Sequence, residues 1–219
     1  MNRKLSALAL AGALALTLAL PAGAVCPLQF FFSWPWAVQE ETPALPDSLL
    51  YCGAVQQLVE EDGVLTQLWM DSEQSGPYTM NLSEQTVWID GTLRAPASSA
   101  ALQEGDEAVV FHSPVMALSL PPQSAALAVV LNPPQDGSAV RLHTVEEVSL
   151  DGGQLTITTD QGGLLLRADE TTLLSRYDGQ ESVSLKDIQP GSRVVAWYTA
   201  VLASYPGQAR AEQLILLPE

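Results

Sequence analysis

The sequence predicts an all-β protein assembled from two copies of one unit, and three observations predict it. The chain is written twice. Gly-Asp-Glu-Ala-Val-Val-Phe-His at 105–112, followed by Ser-Leu-Pro-Pro-Gln-Ser-Ala-Ala-Leu-Ala-Val-Val-Leu at 119–131, recurs as Gly-Ser-Arg-Val-Val-Ala-Trp-Tyr at 191–198 and Ser-Tyr-Pro-Gly-Gln-Ala-Arg-Ala-Glu-Gln-Leu-Ile-Leu at 204–216. Upstream, Thr-Val-Trp-Ile-Asp at 86–90 answers Thr-Thr-Leu-Leu-Ser at 171–175. Within each copy, short apolar runs alternate with turn residues in one order: three strands, a short helix, two strands. Copies of this size are a tandem pair of domains and not a solenoid of short stacked repeats. The positions they share are apolar residues and turn residues, which specify architecture and leave the biochemical function open.

Residues 1–24 read as a signal peptide. Arg3 and Lys4 form the positive start, Leu5 to Leu20 the apolar stretch, and Ala22-Gly23-Ala24 a small-x-small cleavage site. As a transmembrane anchor the apolar run is short, and Pro21 and small residues follow it. A lipoprotein would need a small residue before Cys26, where Val25 stands, so a free secreted form is expected, with no membrane anchor after cleavage. Loss of Arg3 and Lys4 takes the formal charge from −16 to −18. So acidic a chain repels phosphate backbones and has no basic stripe, which excludes nucleic acid as the expected partner.

Residues 25–48 form an N-terminal arm that belongs to neither copy. Three of the four Phe and two of the five Trp lie between Phe30 and Trp36, too dense an apolar cluster to leave wet. Either Phe31, Trp34 and Trp36 pack on the first barrel, or they form a contact surface for a partner or a membrane surface. Prolines at 43 and 46 mark the rest as linker. Cys26 and Cys52 are the only cysteines. In an oxidising compartment they are expected to bridge, tying the arm to the first strand for roughly 3 kcal/mol in the chain-entropy estimate. Two cysteines without a neighbouring histidine complete no tetrahedral metal shell, and no metal or other cofactor is expected.

The first copy runs over 49–131, a linker over 132–138, and the second copy over 139–217. A first strand turns at Glu61-Asp62-Gly63 and again at Asp151-Gly152-Gly153, both hairpin signatures. Strands follow at Leu65 to Met70 and Tyr78 to Leu82, matched by Leu155 to Thr159 and Leu164 to Ala168. Ser99 is placed to cap a helix ending at Gly105, and Ser184 one ending at Gly191. Long strands at Ala108 to Val115 and Val194 to Val201 precede a proline turn and a closing strand. This order is that of an OB-like five-stranded Greek-key barrel with one short helix, so the full expectation is two tandem OB-like barrels.

Gly191, Val194, Ala196, Trp197, Ser204, Tyr205, Pro206, Gln208, Ala209 and Ala211 together resemble the YobA-like proteins, OB-like domains exported by Gram-positive bacteria. The first copy departs from that pattern at Phe111, Leu120 and Ser124. The resemblance implies fold and export and brings no catalytic residues.

The Ser204-to-Gln208 motif reads as turn chemistry: Gly207 suits a type II turn, Pro122 does not, so the two copies are expected to turn differently while Gln123 and Gln208 brace the backbone. Trp88 and Trp197 align with Leu173 and Phe111 and read as core. Trp69 falls on either face of its strand and is the remaining candidate for stacking a ligand. His112 and His143 have no serine or cysteine at triad spacing, and no calcium loop is present. The expected function is a secreted, non-enzymatic binding module that meets an envelope protein or polysaccharide. The alternatives are a hydrolase of glycans or peptides, and a protease inhibitor presenting Leu120 to Gln123.

Overall fold

A computed structural model describes residues 45–179 and 182–218, all within one compact unit, Pro43–Glu219. The expected signal peptide, Cys26 of the expected Cys26–Cys52 bridge, and Phe31, Trp34 and Trp36 lie outside the described residues.

The first half contains β1 (Leu49–Glu61), β2 (Val64–Asp71), β3 (Tyr78–Asn81), β4 (Val87–Asp90), β5 (Ala95–Pro96), β6 (Glu107–Ala117) and β7 (Gln123–Leu131). The strands run β3-β2-β1-β6-β7, and a parallel pairing of β3 with β7 returns the last to the first. The result is a closed five-stranded barrel of OB-like order. The predicted β1–β2 hairpin turns through Asp62 and Gly63, both at positive φ (54° and 77°), which is what a two-residue turn matched to strand twist requires. Period-two alternation sends Val55, Leu68, Met70, Met80, Val110 and Val129 into the barrel.

The second half contains β8 (Ala139–Thr144), β9 (Glu147–Asp151), β10 (Gln154–Thr159), β11 (Leu164–Ala168), β12 (Leu173–Arg176), β13 (Arg193–Tyr198), β14 (Val201–Leu202), β15 (Gly207–Arg210) and β16 (Gln213–Leu216). Its neighbour relations repeat those of the first half, but the ladder is divided into two sheets, β14-β15-β11-β10-β9 and β12-β16-β13-β8. One residue difference accounts for one of the partings. By strand register His143 stands where Gly53 stands in the first half. At Gly53 an added Cβ would meet the Asp71 carbonyl oxygen at 2.3 Å, so only glycine lets β1 and β2 pair out to Ala54 and Asp71. A histidine at that position parts the ladder.

Several sequence expectations need correction. The helices expected after Ser99 and Ser184 are single 3-10 turns, Ser99–Ala101 and Leu185–Asp187. Leu102 and Ile188 follow in extended conformation and are buried in the core of each half; seating them ends the helical path after one turn. The cap in the first half is Ser98, whose Oγ accepts from the Ala100 N–H at 3.3 Å. The repeat alignment also slips by one residue. Thr86 Oγ1 donates to the Ala126 carbonyl at 2.9 Å and Thr172 Oγ1 to that of Ala211 at 3.0 Å, so Trp88 corresponds to Leu174 rather than Leu173. Both pack against the core of their own half. Finally, the proline turns are alike, as described below.

The halves are fused. Val109, Phe111, Ala128 and Val130 face outward from the first barrel and are covered by Val140, Val195, Trp197 and Ile215 of the second half. These strands are therefore buried on both faces, which is why they read as unbroken apolar runs instead of alternating ones. Trp197 Nε1 donates to the Gly91 carbonyl at 3.0 Å, and the Trp88 N–H donates to the Tyr177 hydroxyl at 3.0 Å. Arg94 pairs with Glu212 at 2.9 Å, and Gln213 Nε2 donates to the Arg94 carbonyl at 2.7 Å. The 132–138 segment is tied down as well, with Asn132 Nδ2 donating to Asp90 Oδ2 at 2.7 Å.

Candidate functional site

Both halves project the same turn. Between β6 and β7, Ser119 Oγ donates to the Pro121 carbonyl at 2.7 Å; between β14 and β15, Ser204 Oγ donates to the Pro206 carbonyl at 2.7 Å. The Leu120–Pro121 and Tyr205–Pro206 bonds are both cis, and Gly207 has no positive φ, so the expected difference in turn type does not arise. At matching positions the two turns present Leu120, 99% exposed, and Tyr205, 90% exposed. Val115, Met116 and Leu118 are also exposed on the first, Val201 and Leu202 on the second. The base of the first hairpin is fixed by Ser124, whose buried Oγ lies 2.7 Å from the Ser113 carbonyl and 3.1 Å from that of Val115. Fully exposed apolar side chains on a braced turn contribute nothing to the core they leave.

The turn adjoins a sheet face. Trp69 lies opposite Thr79, and Thr79 beside Gln123, while the Thr79 N–H donates to the Pro122 carbonyl at 2.9 Å. Trp69 points outward and is 44% exposed, which resolves the ambiguity left by its sequence. Beside it Gln67 Nε2 donates to Asn81 Oδ1 at 3.0 Å. An exposed indole flanked by amide side chains offers a stacking plane together with donors and acceptors. In the second half, register places Thr158 at the position of Trp69, Arg167 at that of Asn81 and Gln208 at that of Gln123. Gln208 does not brace the turn: its Oε1 accepts from Arg167 Nη2 at 2.7 Å.

Sequence reasoning missed a polar cluster at His143. Its Nδ1 lies 3.0 Å from Asp160 Oδ1 and 3.4 Å from Thr159 Oγ1, and its Nε2 lies 3.3 Å from the Tyr198 hydroxyl. Residues 17 and 55 positions away are joined only by the strand pairing. Burial pushes Asp160 up, but the hydrogen bond and charge of His143, with Thr159 and Arg141, outweigh it and hold the carboxyl below its ordinary value. Tyr198 is pushed up to about 12, chiefly by burial. A cavity of about 360 Å³ reaches His143 and Asp160 past Ser48, Thr144 and Arg141. Both imidazole nitrogens are engaged, however, and among the described residues no serine or cysteine side chain bonds either histidine. In the first half His112 instead packs on Tyr78, ring centroids 5.1 Å apart, and burial lowers its pKa. Cys52 is exposed on β1.

Fold and site together define an all-β, OB-like barrel protein with a duplicated exposed turn beside its outer sheet face. No family model matches the chain, and no curated protein matches it. Among solved structures it is similar to "drosophila Unr CSD456" at 13% identity and a TM-score of 0.23, over 78% of this chain and 63% of that one. It is also similar to a structure described as "Structural mimicry for functional antagonism" at 8% identity and a TM-score of 0.23, over 83% of this chain and 94% of that one. The chain thus spans less than two thirds of the Unr structure. The fold assignment rests on the strand pairing above.

Proposed function

We propose that this is a secreted, non-enzymatic binding module of two tandem OB-like barrels, akin to the YobA-like proteins, that holds an envelope polymer outside the cell. The observation that carries the reading is the duplicated turn, which exposes Leu120 and Tyr205 at equivalent positions. Polysaccharide is the partner its surroundings fit, because Trp69 supplies a stacking plane with Gln67 and Asn81 at its edge. The hydrolase alternative keeps support of its own, because His143 joins the Asp160 carboxylate to the Tyr198 hydroxyl and a cavity of about 360 Å³ reaches His143 and Asp160. The test is co-sedimentation of the protein, produced from the full chain in a Gram-positive host, with isolated cell envelopes. Burying one such side chain is worth about 1.5–3 kcal/mol, so Leu120→Ser with Tyr205→Ser is expected to weaken retention at least tenfold. Equal retention of both forms, or none of either, refutes the reading. A second reading, protease inhibition, is favoured by the full exposure of Leu120 on a braced loop; unchanged activity of secreted serine and cysteine proteases in its presence would dismiss it.

A further inference from the structure

Basic side chains are scarce here, and two of them share one groove. Downstream of the leader seven Lys and Arg face 25 Asp and Glu. Arg167 on β11 and Arg210 on β15 are register partners on adjacent parallel strands, both exposed. They line a groove of about 360 Å³ with Gln154, Gln208, Thr199 and Leu202, and no carboxylate lines it.

Each guanidinium is held in place by a neighbour. Arg167 donates to Gln208 Oε1 at 2.7 Å and pairs with no carboxylate among the described residues. Arg210 is oriented by Asp169 at 3.1 Å and by Thr171. An arginine carries five N–H donors in a rigid fork, so both retain donors for a further acceptor. Nor does the barrel require these charges: the equivalent positions of the first half are Asn81 and Ala125. Two oriented forks, Arg167 without a carboxylate partner and Arg210 paired with Asp169 just outside the lining, match an oxyanion, which takes charge-assisted bonds from such donors.

We infer that the outer face of β11 and β15 binds an oxyanion group, a carboxylate or a phosphodiester, carried by the envelope polysaccharide. The inference rests on the polysaccharide reading above and gives the second half a preference distinct from the neutral, aromatic face of the first. Leu202 at the groove's edge and Tyr205 on the adjoining turn supply the apolar surface for the sugar ring.

The test measures binding of the full-chain protein to three probes by calorimetry at two salt concentrations. The probes are an oligogalacturonate, a poly(glycerol phosphate) and a neutral galactan oligosaccharide. One or both anionic probes are expected to bind more tightly than the neutral one, and to weaken with salt. Binding of the first alone assigns a carboxylate, of the second alone a phosphodiester. Arg167→Gln, and separately Arg210→Gln, should weaken the anionic probe about ten- to hundredfold, as expected for a charge-assisted bond, and leave the neutral probe unchanged. Equal affinity for anionic and neutral probes overturns the inference, as does an anionic affinity that neither substitution alters. Envelope co-sedimentation separates the two failures. If the wild-type protein sediments and prefers no anionic probe, only this inference falls; if it does not sediment, the module reading falls with it.

Discussion

Removing Trp197 should destabilise both halves together, not one. Its side chain is fully buried between them and its Nε1 donates across the junction to Gly91. Trp197→Ala removes the largest side chain of the shared core, at a cost of about 3–5 kcal/mol for so large a truncation. For a folded unit of this length each kcal/mol shifts Tm by about 2–4 °C, so the expected fall is about 6–20 °C. Trp197→Phe keeps most of the ring and loses the N–H, leaving the Gly91 carbonyl unpaired, and should cost about 1–3 kcal/mol. The assay is urea unfolding followed by far-ultraviolet circular dichroism, beside amide exchange at Val129 and Val130 in the opposite half. One transition, with an unchanged slope and a lower midpoint, is expected. Exchange at Val129 and Val130 should lose the same free energy as the global transition. A biphasic curve in which the first half keeps its wild-type protection would refute the fused core.

Two further outcomes follow from particular contacts. Asp160→Asn should cost about 1 kcal/mol near neutral pH, a modest value because the carboxylate is half exposed. The folded pKa of Asp160 is depressed, so its contribution is present above the unfolded value near 4 and is lost as pH falls through the folded one. Wild type and variant should therefore converge in urea titrations below pH ~4, and a gap that persists to pH ~2 would contradict the assignment. Gly53→Ala drives a Cβ into the Asp71 carbonyl and should cost at least about 2 kcal/mol by overpacking. Its signature is faster amide exchange at the β1–β2 pairing, and a change under ~0.5 kcal/mol would remove Gly53 as the residue that holds the ladder closed.

Much of the fold was legible because the local rules agreed. The Asp62-Gly63 and Gly152-Gly153 turns carry the residues that positive φ demands, and the structure has that φ at all four. The duplication then placed the five barrel strands of the first half and their counterparts, but not the short strands β4, β5, β12 and β15. What the sequence withheld was relational. Val109-Val110-Phe111 reads as buried, but nothing in the run says that Val110 fills the barrel while Val109 and Phe111 meet the other half. The site divides in the same way. Leu120 was legible as part of a loop that could be presented, Tyr205 only as its mismatch within a shared turn, and the exposure of both depends on how far the hairpin projects. His143 could not be paired with Asp160 and Tyr198 from spacing, since strands β8 and β13 and the turn that follows β10 bring them together. The helices were overcalled because a capping serine and a later glycine mark a start and a stop without fixing what Leu102 and Ile188 must reach.

If the molecule holds a polymer as proposed, the buried seam between the halves bears on which polymer it can select. Were the two units joined by a slack tether, either exposed turn could find its own foothold, and any spacing along a polymer would serve. With Trp197, Arg94 and Gln213 locking one half onto the other, the two footholds lie at a fixed distance and angle. Simultaneous engagement then strengthens binding only where the polymer's own repeat falls into step with that distance, and adds nothing where it does not. On the proposed polymer-binding reading, the junction would act as a gauge, converting two weak contacts into a measurement of periodicity.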